Sequence, residues 1–464
     1  MKLNELSIKQ AKEGLRTKKF SSEELTRACL DEIKKRDKNL NAFITICENE
    51  ALADAKKADK LLVEKRTGTL LGIPIALKDL YLTKGVKTTA ASRVLSDYIP
   101  QYDATVVSKL KNAGAVIIGK TNCDAWAHGS SGENSDFGPT KNPLNEEYVP
   151  GGSSSGSAVS VAANMCLAST GTDTGGSIRL PASFCNVVGL KPTYGRVSRY
   201  GIIAMASSLD SIGHFTKTVE DSATFLEITA GKDLNDATTP EVKVDNYFED
   251  INKGVKGLKI GIPKEYFIQG LDKKIKEKIE KIIKFYEKEG AEIVEISLPH
   301  TEYAIACYYI IQPSEVSSNL ARYDGIRFGN DRSFFGDEAK RRIMLGTFTL
   351  SAGYYDAYYK KAMKVRTLIK EDFDKAFMKV DAILTPVSPT LPWKIGEKVN
   401  DPLKMYLSDI FTVTANLAGI PGLSIPIGFE NGLPVGAQIL GPSFSEKMLF
   451  RIGNCFEGSN QNGL

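Results

Sequence analysis

The chain has 464 residues, of which 42% are hydrophobic and 25% are charged, a composition typical of globular proteins. Its 60 basic and 56 acidic residues leave a formal charge of +4, too small for this length to indicate a dedicated nucleic-acid surface. Any contact with RNA would therefore be local, or would be made by a partner.

The cysteines and the hydropathy pattern bear on location. The seven cysteines form no C-x-x-C pair, and an odd count at irregular spacing favours reduced thiols, buried as small apolar side chains. Residues 1–15 are polar with a helical pattern, which predicts no signal peptide. No apolar run approaches the roughly 18 residues of a membrane span. We therefore expect a soluble, cytoplasmic protein.

In chain order, residues 1–60 are predicted to form a helical lead-in, in which Ser21 and Glu24 have the spacing of a capping box. In residues 70–215, short apolar runs alternate with Gly, Pro and helical segments such as 104–112. This alternation predicts an α/β sheet with helices on both faces.

Residues 258–400 are predicted to elaborate the α/β core. LKIGIP and AEIVEISL are predicted strands on either side of an amphipathic helix over 272–289, which Gly290 ends. A helical, tyrosine-rich segment follows over 347–377, and then a strand region punctuated by prolines. No linker-like cluster separates domains, so we expect a single domain over 1–464, with a strand region on the substrate side at 405–445.

Two motifs match by letter only. Residues 114–121, GAVIIGKT, fit the P-loop pattern, but their interior is itself a strand, so we interpret them as a buried strand. Ser154 is the centre of a G-x-S-x-G pattern, yet no supporting motif surrounds the three histidines, which are His128, His214 and His300. We interpret each histidine as an ordinary polar or partly buried residue. Their scarcity also excludes a His-based metal site, and no carboxylate cluster replaces one.

Serine chemistry without histidine requires another base, and lysine is the candidate. Lys78 follows the apolar run 70–77, where burial would lower its pKa enough for it to act as a base. The alternative is an ion pair with Asp79 or a side chain that reaches solvent. The small residues 174–177 could direct backbone N–H groups at an oxyanion, or could form an ordinary tight turn.

These blocks carry a resemblance to a known family. GIPIALKDL, GGSSSGSA and GTDTGGSIRLPASFCNVVGLKP resemble the signature blocks of the amidase signature family, serine hydrolases with a Ser-Ser-Lys triad. Several members place the three residues at intervals of 75 and 24, and here Lys78, Ser153 and Ser177 have those intervals. The resemblance implies an α/β fold with a large mixed central β-sheet covered by helices on both faces.

The resemblance also implies the roles of these residues. Ser177 would attack the amide carbonyl. Ser153, which the family holds through a cis peptide bond, would relay the proton. A neutral Lys78 would be the final base. Backbone N–H groups would stabilise the oxyanion, namely those of Thr174, Gly175, Gly176 and Ser177. Ser154 would be only a loop residue.

Within the family, further blocks are similar to the glutaminase subunits of tRNA-dependent amidotransferases. These blocks lie at 194–213, 317–329, 341–362 and 408–429. The resemblance implies that Arg342, or alternatively Arg341, binds the α-carboxylate of L-glutamine and that Asp409 binds its α-amino group. It implies no cofactor in this chain. ATP and Mg²⁺ would act on a tRNA-binding kinase subunit, while a small third subunit would brace the pair.

The chain also departs from the family pattern. Ser155 replaces a glycine, and Trp126 and His128 lie in a segment that differs from the common form and that we expect near the pocket wall. Two alternatives to a glutaminase subunit remain. One is a stand-alone amidase of the same family that acts on another small amide, and the other is an inactive scaffold. The acceptor also stays open between glutamate on tRNA(Gln) and aspartate on tRNA(Asn).

Overall fold

A computed structural model describes residues 2–66, 68–267, 270–323, 325, 329–399 and 401–460. Part of the block at 317–329 therefore lies outside the described residues. The strands of the described chain are β1 Phe43–Ile46, β2 Pro74–Lys78, β3 Val116–Thr121, β4 Ala168–Asp173, β5 Val188–Lys191, β6 Ser211–Thr216, β7 Lys259–Pro263, β8 Glu292–Ile296, β9 Ala382–Pro386, β10 Gly422–Glu430 and β11 Leu433–Leu440.

The helices surround these strands. The α-helices of the described chain are α1 Ile8–Arg16, α2 Ser22–Leu40, α3 Glu48–Val63, α4 Thr105–Asn112, α5 Ser155–Ala162, α6 Arg179–Phe184, α7 Val219–Thr229, α8 Lys273–Lys288, α9 Ala304–Leu320, α10 Asp337–Thr349, α11 Lys361–Phe377, α12 Pro402–Leu407, α13 Val413–Ala418 and α14 Glu446–Asn460. A π-helix covers Tyr355–Lys360. Short 3₁₀ turns lie at Leu3–Glu5, Arg93–Leu95, Ala125–Ala127, Lys264–Tyr266, Pro299–Tyr303 and Arg332–Phe334.

The described strands form one 11-stranded sheet in the order β1-β3-β2-β4-β6-β5-β10-β11-β9-β7-β8. Strand β2 runs parallel to both β3 and β4, and β7 runs parallel to β8 and β9. The pairs β4–β6, β5–β6, β5–β10, β10–β11 and β9–β11 are antiparallel. The prediction of a large mixed sheet is therefore confirmed. Its middle strands are buried along their whole length, as expected where helices cover both faces.

Local sequence signals correctly predicted several elements. Ser21 caps α2 through a capping box with Glu24. Asp272 caps α8, and the buried face of that helix includes Ile275 and Ile279. Gly290 follows α8 with φ +90, a left-handed conformation that favours glycine. Strands β7 and β8 flank α8 as predicted.

The segment over 347–377 is helical for most of its length, as predicted, but a short interval interrupts it. Helix α10 ends at Thr349, and the π-helix and α11 begin only after an interval at 350–353. Gly353 in this interval has φ +85, which a right-handed helix cannot contain. The apolar spacing continues across the interval, so periodicity alone could not locate the break.

Two further expectations concern the chain as a whole. All seven cysteines are free, and all but Cys455 are buried, as predicted. No helix in the described ranges combines the length and the apolar character that crossing a bilayer requires.

Candidate active site

Lys78 is the last residue of β2, a strand with neighbours on both sides, so its side chain is fully buried. Its Nζ lies 2.9 Å from Ser153 Oγ, 2.9 Å from Ser154 Oγ and 2.8 Å from Thr172 Oγ1. Its backbone N–H donates to Thr170 Oγ1 at 2.9 Å. Both ends of Lys78 are thereby held, and three hydroxyl groups surround the amine.

The charge state of Lys78 follows from this burial. Desolvation lowers the pKa of the amine to about 8, although nearby carboxyl groups, including Asp124 and Asp210, act in the opposite direction. Asp79 does not pair with Lys78, because its Oδ1 lies 3.2 Å from Lys120 Nζ. Lys120 is the lysine of the P-loop-like motif, and it forms this buried ion pair. The motif lies in strand β3, so its interpretation as a buried strand is confirmed.

Ser153 and Ser154 lie in the turn that leads into α5. The Gly152–Ser153 peptide bond is cis. Gly152 has no room for a side chain, because a Cβ there would lie 2.0 Å from Asp124 Oδ2. The interpretation of Ser154 as only a loop residue is too narrow. Besides its contact with Lys78, its Oγ donates to the carbonyl of Thr172 at 3.1 Å, and its N–H donates to the carbonyl of Ser177 at 3.2 Å.

Ser177 follows β4 in a turn built on Asp173. Gly176 N–H donates to Asp173 Oδ1 at 2.8 Å, and Ile178 N–H donates to Oδ2 at 3.2 Å. Arg179 binds the same carboxylate with Nε and Nη2, each at 3.0 Å. Burial would raise the pKa of Asp173, but the charge of Arg179 outweighs it and lowers the pKa to about 2. The turn therefore rests on a permanently charged pair.

The turn has little room for side chains. A Cβ on Gly175 would lie 2.7 Å from the Tyr308 hydroxyl oxygen, and one on Gly176 would lie 2.4 Å from Thr412 Oγ1. Of the four N–H groups predicted to face an oxyanion, that of Gly176 is engaged by Asp173. The N–H groups of Thr174, Gly175 and Ser177 donate to no group in the part of the chain that the structure describes.

One cavity contains Ser177 and both residues predicted to bind the substrate. Ser177 is 8% exposed. The cavity is lined by Ala127, Gly129, Ser130, Gly175, Ser177, Met205, Tyr308, Tyr309, Arg342 and Asp409. The nucleophile candidate thus shares a cavity with one cation and one carboxyl group.

Arg342 lies on the buried face of α10 and is 4% exposed. Its Nε donates to Glu338 Oε1 at 2.7 Å and its Nη1 donates to Gln312 Oε1 at 2.9 Å. Nη2 has no acceptor among the described residues, so one edge of the guanidinium can receive a ligand. The rings of Tyr309 and Tyr406 lie 5.6 and 5.8 Å from its Cζ.

Arg341, the alternative to Arg342, does not line the cavity. Its side chain is 49% exposed and pairs with Glu338 from the outer side of α10. Adjacent residues on a helix point about 100° apart, which explains why only one of the two arginines can face inward.

Asp409 lies shortly before α13. Its Oδ2 accepts hydrogen bonds from Ser130 Oγ at 2.8 Å and from Tyr309 Oη at 3.1 Å. Burial raises the pKa of Asp409 to about 7, although these hydrogen bonds and the charge of Arg342 act in the opposite direction. The carboxyl group therefore retains its proton to a higher pH than an exposed aspartate does.

Sequence reasoning missed four polar residues of the site. Thr172 contacts Lys78, while Ser130, Tyr308 and Tyr309 line the cavity. The signal for Thr172 was available, because Thr170 and Thr172 alternate along β4 and so share a face of the sheet. No pattern marked the other three.

The departures from the family pattern lie around this site. Trp126 packs against Tyr323 and Phe335, with ring centroids at 4.8 and 5.4 Å, and does not line the cavity. Ser155 donates to Thr140 Oγ1 at 3.2 Å. His128 is fully buried, and burial together with the charge of Arg342 lowers its pKa, so the ring is neutral.

The other two histidines form hydrogen bonds outside the cavity. His214 pairs with Ser222 at 2.8 Å, and His300 pairs with Asp372 at 3.0 Å. In the described ranges no histidine lines the cavity of Ser177. A Ser-His-Asp arrangement is therefore not assembled there.

The chain belongs to the amidase family, since the family model described as Amidase matches residues 24–450. The predicted family membership is confirmed. Among curated proteins, the chain is 54% identical to a glutamyl-tRNA(Gln) amidotransferase subunit of Geobacter metallireducens, with 98% of each chain covered.

Comparison with solved structures also finds relatives that cover nearly the whole chain. The chain is similar to a glutamyl-tRNA(Gln) amidotransferase subunit of Thermotoga maritima, with 47% identity, a TM-score of 0.85 and coverage of 98% and 95%. It is also similar to a peptide amidase from Stenotrophomonas maltophilia, with 30% identity, a TM-score of 0.87 and coverage of 98% and 97%. The fold alone therefore does not specify the amide that is cleaved.

Proposed function

We propose that this chain is the glutaminase subunit of a tRNA-dependent amidotransferase and hydrolyses L-glutamine through an acyl-Ser177 intermediate. The observation that carries the proposal is the shared cavity of Ser177, Arg342 and Asp409. An α-amino acid amide presents a carboxylate, an ammonium and a reactive amide, and this cavity offers a complement to each. The full-length relatives are named as subunits of such an enzyme.

Substrate binding would use the two charged residues. The unpaired Nη2 edge of Arg342 suits the α-carboxylate, since a planar guanidinium binds carboxylates with directed hydrogen bonds. The Asp409 carboxylate suits the α-ammonium. Binding of that cation would favour the ionised form of Asp409 and lower its pKa from about 7. These contacts would direct the side-chain amide toward Ser177.

Acylation would begin when Ser177 Oγ attacks the amide carbon. Its proton would pass to Ser153 as the Ser153 proton passes to neutral Lys78 Nζ, 2.9 Å away. The N–H groups of Thr174, Gly175 and Ser177 are the candidate donors to the oxyanion. Gly176 N–H is left out of this set because it donates to Asp173.

Collapse of the tetrahedral species would release ammonia. The leaving nitrogen would take the proton from Lys78 through Ser153, and the γ-glutamyl ester would remain on Ser177. Water would then attack the ester along the same proton path, giving glutamate and free Ser177. The net reaction is glutamine plus water to glutamate plus ammonia, and it needs no metal or cofactor in this chain.

The complex is part of the proposal. A tRNA-binding kinase subunit would use ATP and Mg²⁺ to activate the γ-carboxyl of glutamate on tRNA(Gln), and ammonia would displace the activating group. A small third subunit would brace the two larger ones. The formal charge of +4 is consistent with a partner that carries most of the tRNA binding. A cytoplasmic location is consistent with seven free cysteines.

Substrate preference tests the proposal. The chain, purified with its partner subunits, should release ammonia from glutamine with kcat/KM at least ~100-fold above that for propionamide or an anilide, because only glutamine engages both charged residues. Faster turnover of the simple amides would instead support a stand-alone amidase. No turnover of any amide would support an inactive scaffold.

A further inference from the structure

The outer side of α10 and the π-helix exposes an unusual amount of apolar surface. Every residue from 350 to 358 is exposed. The large apolar side chains of this region, with their exposed fractions, are Met344 73%, Leu345 39%, Phe348 48%, Leu350 36%, Tyr354 41%, Tyr355 38% and Tyr358 42%. We call these seven residues the aromatic face.

The centre of the aromatic face is a continuous cluster of side chains. The ring centroids of Phe348 and Tyr354 lie 4.2 Å apart, and those of Tyr354 and Tyr358 lie 5.8 Å apart. Met344 precedes Phe348 by one helical turn and so lies beside it on α10. Soluble proteins seldom leave a continuous apolar surface of this kind open, and aromatic residues and Met are enriched where partner proteins bind.

The exposure does not come from a loosely packed helix. A Cβ on Gly346 would lie 1.8 Å from the carbonyl oxygen of Pro313, so the backbones of α10 and α9 are in close contact. Thr349 Oγ1 and Ser314 Oγ are 2.7 Å apart across the same interface. The inner side of α10 carries Arg342, so the aromatic face lies on the back of the helix that borders the cavity.

The charges around the aromatic face indicate its occupant. Arg341, Lys360, Lys361 and Lys364 are exposed cations. Arg341 pairs with Glu338, and Lys360 pairs with Asp356 at 2.6 Å. Among the described residues Lys361 and Lys364 have no ion-pair partner, so they carry the excess positive charge on the π-helix side of the face. Two copies of this chain that met through the face would bring like charges together. An acidic rim on a different protein would complement them.

The aromatic rings also favour protein over RNA. Bases bind to exposed aromatic rings by stacking on their free faces. Here Phe348, Tyr354 and Tyr358 pack against one another, and Met344, Leu345 and Leu350 are aliphatic. Such a surface is suited to another apolar side-chain surface.

We infer that the aromatic face is the docking surface for a protein partner that presents an apolar patch bordered by acidic side chains. Because this inference rests on the proposed function, the partner is the subunit that receives the ammonia. Docking there places this partner behind the helix that carries Arg342.

The test uses the full chain with Phe348, Tyr354 and Tyr358 each changed to Ser. Val63→Ser with Leu234→Ser and Met378→Ser is the matched control, because these side chains are 68%, 94% and 79% exposed and lie outside the face. Affinity for the purified partner subunits is measured by surface plasmon resonance, and circular dichroism checks that each variant is folded. We expect binding to weaken at least ~10-fold in the aromatic variant and less than ~2-fold in the control.

A second variant tests the rim without removing apolar surface. Lys361→Glu with Lys364→Glu should weaken binding, and the loss should shrink as salt is raised. Partner binding within ~2-fold of the unaltered chain by the aromatic variant would overturn the inference. The inference would also be overturned if the free chain formed a dimer that the aromatic variant abolished. It would be overturned as well if the aromatic variant lost only tRNA binding and kept its affinity for the partner subunits.

The test is separate from that of the glutaminase proposal. Binding is measured without glutamine, and Ser177→Ala should bind the partner as the unaltered chain does. If the unaltered chain hydrolyses glutamine and the aromatic variant still binds the partner as the unaltered chain does, only this inference is contradicted. Weakened docking in a chain that hydrolyses no glutamine would contradict only the proposed reaction.

Discussion

At the scale of single residues, the account depends on a neutral Lys78. Its amine is surrounded by three hydroxyl groups and no carboxylate, and burial brings its pKa to about 8. Ser154 and Thr172 hold the amine beside Ser153. In the proposed mechanism Ser154, the serine that matches the G-x-S-x-G pattern, therefore supports the base and is not the nucleophile. Side-chain hydroxyls suit this task because each can accept a hydrogen bond from the charged amine. Each can also either donate a hydrogen bond to the neutral amine or accept one from it.

The pH dependence of hydrolysis follows from this pKa. Lys78 must be neutral to accept a proton, and a pKa lowered from 10.5 to about 8 means that the neutral form is gained as pH rises toward 8. We expect kcat at saturating glutamine to rise about tenfold per pH unit below 8 and to level above it. Saturating glutamine separates this effect from the ionisation of Asp409, which in the proposed mechanism affects substrate binding. A flat profile of kcat between pH 6 and 8 would exclude Lys78 as the base.

Replacement of Ser177 should separate the two reactions of the complex. Ser177→Ala removes the attacking oxygen, so glutamine-dependent amidation should fall at least ~10³-fold. Amidation with added ammonium salt should persist, because only the source of ammonia is lost. Ammonia release and tRNA amidation are measured on the same preparation. Loss of both reactions in an assembled complex would mean that Ser177 has another role.

The two neighbouring arginines provide a matched pair. Arg342→Ala should raise KM for glutamine by ~10–100-fold, because the buried guanidinium is the only cation that lines the described cavity. Arg341→Ala should change KM less than ~3-fold, since its exposed side chain pairs with Glu338 on the outer side of α10. Steady-state kinetics of ammonia release measures both. Equal effects of the two substitutions would remove Arg342 from substrate binding.

At the scale of secondary-structure elements, short apolar runs predicted β2, β3, β7 and β8 well. Their residues follow rules of local periodicity that hold within one element. The interval at 350–353 was missed, because the apolar periodicity does not show that Gly353 adopts a left-handed φ of +85 there.

Gly346 tests that packing. In an exposed helix, Gly→Ala stabilises by up to ~1 kcal/mol. Here the new methyl group would overlap the carbonyl oxygen of Pro313, so Gly346→Ala should lower the free energy of unfolding by ~1–3 kcal/mol. It should also raise KM for glutamine, because Arg342 lies one turn away. Urea unfolding and kinetics measure the two effects, with Thr347→Ala as the exposed control. A gain of stability in Gly346→Ala would contradict the observed contact.

At the scale of the whole molecule, the composition and the alternation of short apolar runs with helical segments predicted an α/β architecture. They did not predict the order of the strands in the sheet. The position of β10 between β5 and β11 joins segments more than 200 residues apart, and such pairings leave no trace in a single sequence. Family resemblance related Lys78, Ser153 and Ser177 by their spacing. The meeting of Ser177, Arg342 and Asp409 in one cavity required the folded chain.

The central claim is that Ser177 carries the acyl group of glutamine. The most direct measurement is mass spectrometry of the assembled complex, quenched in acid during turnover of glutamine and digested to peptides. The account predicts a γ-glutamyl ester on the peptide that contains Ser177, and predicts that this ester is absent from Ser177→Ala. An ester on Ser153 or Ser154 in an active enzyme, with Ser177 unmodified, would contradict it.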